Sequence, residues 1–201
     1  MKILVTSNFK KHHNTYIDFV DYYLLNYFEK KKFNTIIVPN KIKITQKILL
    51  KLNNINLILL PGGNDVLKKN VLNKNRLKVE YEIVKFGIKK NIPIIGICRG
   101  MQVLNHFFNG KLKLVKGHMN TRHKVFFKKN FFKSKIHTVN SFHNWGIPKK
   151  YISKSLKSLA IDQEGNVEMF AHKKYKILGI MWHPEREKST KKFDKILNYF
   201  K

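Results

Sequence analysis

Residues 96–100 read Gly96-Ile97-Cys98-Arg99-Gly100, and Cys98 is the only cysteine of the chain. It follows the apolar run "IPII" and precedes the helix-like "MQVLN". That setting fits a nucleophile carried on a sharp strand-to-helix bend, where side chains two residues to either side would clash and glycine does not. At the head of the following helix, free N–H groups and the macrodipole favour a thiolate. A lone cysteine is more often a small buried hydrophobe, so the pentapeptide needs partners before it means chemistry.

Nine histidines are present, and one has a telling context, "ILGIMWHPERE". His183 comes directly after an apolar run, which places it at the C-terminal edge of a strand, where Cys98 also emerges. Glu185 lies two residues on, with the restricted φ of Pro184 between them. A carboxylate there can accept from one imidazole nitrogen and aim the other at sulfur. The remaining histidines read as ordinary surface or core residues. "LLPGGND" ends another strand with two glycines, and the N–H of Gly63 together with that of Arg99 could form an oxyanion hole. By itself, "PGGND" would be an ordinary turn.

These pieces need a scaffold that brings strand ends together. "KILVTS" reads as a first buried strand, and "NTYIDFVDYYLLNYFEKKK" as a helix capped by Asn14 or Thr15. "NTIIVPN" is a strand, "ITQKILLKL" a helix, "INLILL" a strand, "NRLKVEYEIVKFGIKK" a helix and "IPIIGI" a strand. Strands apolar on both faces, alternating with helices, predict an α/β fold with a mostly parallel central sheet flanked by helices. After residue 110, "KLKLV", "HKVFFKK", "IHTVNSFH", "SLKSLAID", "NVEMFAH" and "KILGIMW" are short and β-leaning, which predicts antiparallel strands appended to that sheet. "STKKFDKILNYFK" closes the chain as a helix capped by Ser189 or Thr190. No repeat or linker divides residues 1–201, so one domain is expected.

The 201 residues carry 41 Lys+Arg against 12 Asp+Glu, formally +29. Such a charge suits a polyanionic partner. The lysines are scattered rather than clustered, and no zinc-finger spacing or aromatic-basic RNA motif appears, so no nucleic-acid partner is expected. Arginine occurs only at Arg76, Arg99, Arg122 and Arg186. Where lysine is the default cation, those four positions suggest a need for the guanidinium fork. One cysteine forms no internal disulfide, and no apolar run is long enough for a signal sequence or a membrane span. A cytoplasmic protein without membrane contact is expected. His12-His13 and the pair His118 and His123 have no Cys, Asp or Glu beside them in sequence to complete a site, so no metal or organic cofactor is expected.

"PGGND", "GICRGMQ" and "WHPERE", in this order and spacing, resemble the class I (triad-type) glutamine amidotransferases and γ-glutamyl hydrolases over nearly the whole chain. The resemblance implies a flavodoxin-like sheet, a Cys98–His183–Glu185 triad, and Gly63 and Arg99 as oxyanion donors. It also implies Gln102, Asn140, Ser141 and Phe142 as contacts for a glutamyl group. The run "VNSFHNWGI…GNVEMF…GIMWHPE" is more similar to the stand-alone γ-glutamyl amide hydrolases than to domains serving a synthetase. A small-molecule γ-glutamyl amide is then the expected substrate. If its leaving group is a phosphate-bearing nucleotide, Arg99, Arg122 and Arg186 are the candidates to meet its charge. The alternative carried by the same residues is a glutaminase subunit delivering ammonia to a partner synthetase.

Overall fold

In a computed structural model, which describes residues 1–68, 70–128, 132 and 134–200, strands and helices alternate through the first half of the chain. β1 (Lys2–Thr6) leads into β2 (Asn8–His12), β3 (Thr15–Phe19), α1 (Tyr22–Lys30), β4 (Asn34–Val38) and α2 (Ile42–Lys51). β5 (Leu57–Leu60), α3 (Val71–Lys89), β6 (Ile94–Ile97) and α4 (Arg99–Phe107) follow. The second half supplies β7 (Lys113–Leu114), β8 (Met119–Phe127), β9 (Ile136–Phe142), β10 (Trp145–Gly146), β11 (Leu156–Ile161), β12 (Val167–His172), β13 (Ile177–Ile180) and α5 (Lys191–Leu197).

The main sheet runs β4-β1-β5-β6-β13-β12-β11-β8-β9. Its first five strands are parallel, in the order of flavodoxin-like folds. From β13 outward every pairing is antiparallel. The mostly parallel sheet with an antiparallel extension is therefore present as expected from the α/β pattern. One detail differs: Ile177–Ile180, expected among the antiparallel additions, lies parallel to β6 and antiparallel to β12. All four of its residues are buried, so it can occupy the middle of the sheet.

Alternation along the parallel strands divides the core into two layers. Ile3, Val5, Leu57, Leu59, Ile95, Ile97, Leu178 and Ile180 pack with Leu24, Tyr27 and Phe28 of α1 and Phe193, Ile196 and Leu197 of α5. Leu4, Ile58, Leu60, Ile94 and Ile177 face the other way, against Leu49 of α2, Val79, Ile83 and Val84 of α3, and Met101, Val103 and Leu104 of α4. Helices thus cover both faces of the parallel half, as apolar strands require.

The helix expected from Asn14 begins later. Residues 15–19 pair with residues 8–12 as an antiparallel hairpin, Lys10 opposite Ile17, turning through His13 at φ +50°. A ladder of backbone hydrogen bonds competes here with a helical period and wins. α1 starts at Tyr22, and its cap is Asp21, whose carboxylate accepts from the Tyr23 N–H at 2.9 Å. Thr190 holds the cap position of α5, without a side-chain capping bond. Lys129 and Lys201, the last residues of the expected strand and helix, lie outside the described residues. No described helix is long and apolar enough to cross a membrane.

Candidate active site

β6 and β13 are adjacent and parallel, with Ile97 paired to Ile180, so the chain leaves both strands at the same end of the sheet. Cys98 follows β6, held by its N–H donating to the Ile180 carbonyl at 2.7 Å. Its backbone sits at φ +49°, ψ −104°, a conformation a side-chain-bearing residue rarely adopts. The bend needs the flanking glycines: a Cβ on Gly96 would strike the Gly100 backbone, and one on Gly100 the Leu60 carbonyl. Cys98 also caps α4, so its thiol stands at a helix N-terminus.

His183 emerges beyond β13 and is 3 % exposed. Its ring Nδ1 lies 2.6 Å from Glu185 Oε1, and the His183 ring and the Cys98 Cβ both border the space beside Gly62. Burial alone would lower the imidazole pKa. The neighbouring Glu185 and Cys98 outweigh it and raise the value from 6.5 to about 10. Gly62 makes room for the imidazole, since a Cβ there would run into the His183 ring.

The backbone of His183 is gripped by Asn140. Its Nδ2 donates to the His183 carbonyl at 2.8 Å and its Oδ1 accepts from the His183 N–H at 2.8 Å. Asn140 Nδ2 also donates to Glu187 Oε1 at 2.9 Å. Ser141 is fully buried, donating to the His118 carbonyl at 2.7 Å. The Asn140 and Ser141 side chains, two of those expected to meet a glutamyl group, are therefore engaged inside the protein. Phe142 stacks edge-on to His183, 5.8 Å between ring centres. Gln102, 4 % exposed, donates Nε2 to the Trp145 carbonyl at 2.8 Å.

The arginines require a correction. Arg99, expected both as a backbone oxyanion donor and as a cation for substrate, directs its guanidinium inward. It pairs with Glu80 at 3.2 and 2.9 Å, and NH1 donates to the Asn64 carbonyl at 2.6 Å. Its side chain is buried, so only its backbone N–H remains for the site. Arg76 shares Glu80 at 2.8 Å and donates to Asn8, to Asn64 Oδ1 and to the carbonyls of Pro61 and Gly62. Asn8 Nδ2 adds a bond to the Gly62 carbonyl at 2.8 Å. The fork is used, but on the protein's own "PGGND" loop. With the Gly62 carbonyl drawn toward Arg76 and Asn8, the Gly63 N–H of the same trans peptide points the opposite way. Gly63 has φ +126°. Arg122 pairs with Glu187 at 3.2 Å and is half-exposed, and Arg186 pairs with Asp21 at 2.7 Å and lies 5.2 Å over the Phe142 ring.

Sequence reasoning missed Asn8, Arg76, Glu80 and the clamping role of Asn140. For Arg76 and Glu80 a signal existed: two opposite charges one helical turn apart, on a face otherwise reading Val79, Ile83 and Val84. Acids absent from the sequence neighbourhood of His118 and His123 arrive through the fold, as Glu168 from β12 and Asp162 after β11, with ligand atoms of His118, His123 and Glu168 all within 4.8 Å of one another.

The family model for class I glutamine amidotransferases matches residues 15–200. The chain belongs to this family and is a glutamine amidotransferase-type hydrolase. It is 37 % identical over 145 residues to the γ-glutamyl-CDP-amidate hydrolase of Campylobacter jejuni subsp. jejuni serotype O:2, covering 71 % of this chain and 68 % of that one. It is 27 % identical over 198 residues to the glutamine amidotransferase-like protein YvdE of Lactococcus lactis subsp. lactis, covering 85 % and 82 %. The crystal structure of a glutamine amidotransferase from Thermotoga maritima superposes with a TM-score of 0.67 at 15 % identity, over 99 % of this chain and 81 % of that one, a likeness of fold.

Proposed function

We propose that the chain is a cysteine-dependent hydrolase of γ-glutamyl amides, acting on γ-glutamyl-CDP-amidate to release glutamate and CDP-amidate for the phosphoramidate modification of a capsular polysaccharide. The observation that carries the reaction class is the arrangement of Cys98, His183 and Glu185, with sulfur on a strained bend and the imidazole bound to the Glu185 carboxylate. The substrate follows from the similarity to the Campylobacter jejuni hydrolase. A cytoplasmic location accords with a single cysteine and a nucleotide substrate.

The Cys98 thiolate attacks the γ-carbonyl carbon, and the oxyanion that forms is met by the N–H groups of Gly63 and Arg99. Loss of one such donor typically costs about 3 to 4 kcal/mol. His183 gives its proton to the departing nitrogen as the C–N bond breaks, leaving a γ-glutamyl thioester and the free amine. Neutral His183 then takes a proton from water, whose oxygen attacks the thioester and releases glutamate and the thiolate. Glu185 keeps the imidazole aligned in both halves. Gln102 and the backbone around Phe142 face the glutamyl group, and Arg122 and Arg186, paired with Glu187 and Asp21, are the arginines left to meet the nucleotide. The reaction draws on no metal or organic cofactor.

The isolated protein, supplied separately with γ-glutamyl-CDP-amidate and with glutamine, should liberate glutamate from the first far faster than from the second. Glutamine hydrolysis that awakens only when a synthetase is added would instead make the chain an ammonia-delivering subunit and overturn the proposal.

A further inference from the structure

A second polar cluster lies on the antiparallel half of the sheet. His118 precedes β8, His123 lies within it, His143 follows β9 and Glu168 stands on β12. The rings of His123 and His143 flank that of His118, with centres 4.7 and 4.9 Å away. Glu168 is 1 % exposed, and neither of its carboxylate oxygens has a hydrogen-bond partner. His123 Nε2 stands 3.3 Å from Oε2, and His143 Nε2 stands 3.8 Å from Oε1.

The outward nitrogens of two rings are already spoken for. His143 Nδ1 lies 3.1 Å from the Trp145 carbonyl, which can only accept, so Nδ1 carries the hydrogen and Nε2 presents a lone pair. His118 Nε2 lies 3.4 Å from Asp162 Oδ2, which leaves its Nδ1 buried without a partner. Asp162 itself is occupied, accepting from the backbone N–H groups of Glu164 and Asn166 and from Asn166 Nδ2. An imidazole whose far nitrogen is held by a carboxylate or carbonyl, with the near one free, is the arrangement seen around metal-ligating histidines. Buried imidazole nitrogens and a buried carboxylate left without hydrogen-bond partners are costly unless a cation lies among them.

We propose that His118, His123 and Glu168, whose ligand atoms lie within 4.8 Å of one another, form a binding site for one divalent transition-metal ion of the zinc type, built into the antiparallel half of the sheet. Two imidazoles and one carboxylate match zinc in donor type and leave a fourth position, beside the His143 ring. Asp162 orients the His118 ring. The ion ties β8 to β12, and the site stands whether or not the reaction proposed above is correct.

The purified chain, stripped with a chelator and dialysed against zinc, should retain one ion per molecule and melt at a higher temperature than the stripped form. H123A and E168Q should each weaken zinc binding by more than about 100-fold, a greater loss than removal of an outer partner brings. C98S should bind as the unaltered protein does. Cobalt substitution gives a reading that needs no variant: visible bands of tetrahedral cobalt without a thiolate charge-transfer band are expected. The proposal falls if stoichiometry is near zero, if cobalt shows a thiolate band or C98S loses the ion, or if the cobalt spectrum is that of a six-coordinate surface ion. Retained zinc in folded H123A and E168Q would sink it equally.

Discussion

Asn140 and His183 are joined by two 2.8 Å hydrogen bonds, from the Asn140 amide nitrogen to the His183 carbonyl and from the His183 N–H to the Asn140 amide oxygen. Those bonds link β9, on the far edge of the sheet, to the segment beyond β13 that carries the imidazole. Asn140→Ala should therefore lower kcat by up to about 100-fold through misplacement of the ring, with little change in KM, and cost about 1–3 kcal/mol of stability. Steady-state kinetics and denaturant unfolding check both parts.

Cys98→Ala should remove turnover by several orders of magnitude while leaving the fold intact, since alanine fills the same space without sulfur. Mass spectrometry of acid-quenched protein under turnover should show a γ-glutamyl adduct on Cys98 in the unaltered chain and none in the variant. Surviving turnover would remove sulfur from the mechanism.

The pH dependence follows from His183. Its folded-state pKa, about 10, lies above the ordinary 6.5, so the proton binds more tightly in the folded chain. That contribution to stability is complete below pH 6.5 and is lost as pH rises through about 10. Activity that needs the imidazolium should hold through neutral pH and fall on an alkaline limb near 10, read from a pH–rate profile.

Glu80 stands between two buried guanidinium groups. Glu80→Gln would leave them without a countercharge, and breaking a buried pair this way costs about 3–5 kcal/mol. The "PGGND" loop that both arginines hold should loosen with it, so kcat should fall alongside the unfolding midpoint.

Two glycines should separate position from stability. Gly62→Ala places a methyl against the His183 ring, which must turn away from its Glu185 contact, and should reduce kcat more than it lowers Tm. Gly100→Ala drives a methyl into the Leu60 backbone carbonyl, which cannot move without breaking the sheet, and should destabilise by about 1–3 kcal/mol or more. Thermal melts beside initial rates distinguish the two.

By itself the sequence determined four of the five parallel strands, because buried strands announce themselves as uninterrupted apolar runs, as in "INLILL" and "IPIIGI". It also determined which residues could make a thiolate relay, since Gly96, Gly100 and Pro184 fix local backbone around Cys98, His183 and Glu185. Tertiary structure alone decided where the polar side chains point. Whether Arg99 meets a substrate or Glu80 depends on a partner nineteen residues away on another helix. Residues 15–19 became a strand because a neighbouring ladder was available, which no local period reveals. The acids beside His118 and His123 come from β12 and the end of β11, so their company exists only once long-range pairing has closed the sheet. Local conformation is written in neighbouring residues, whereas electrostatic partnership depends on distances in space that the chain order does not contain.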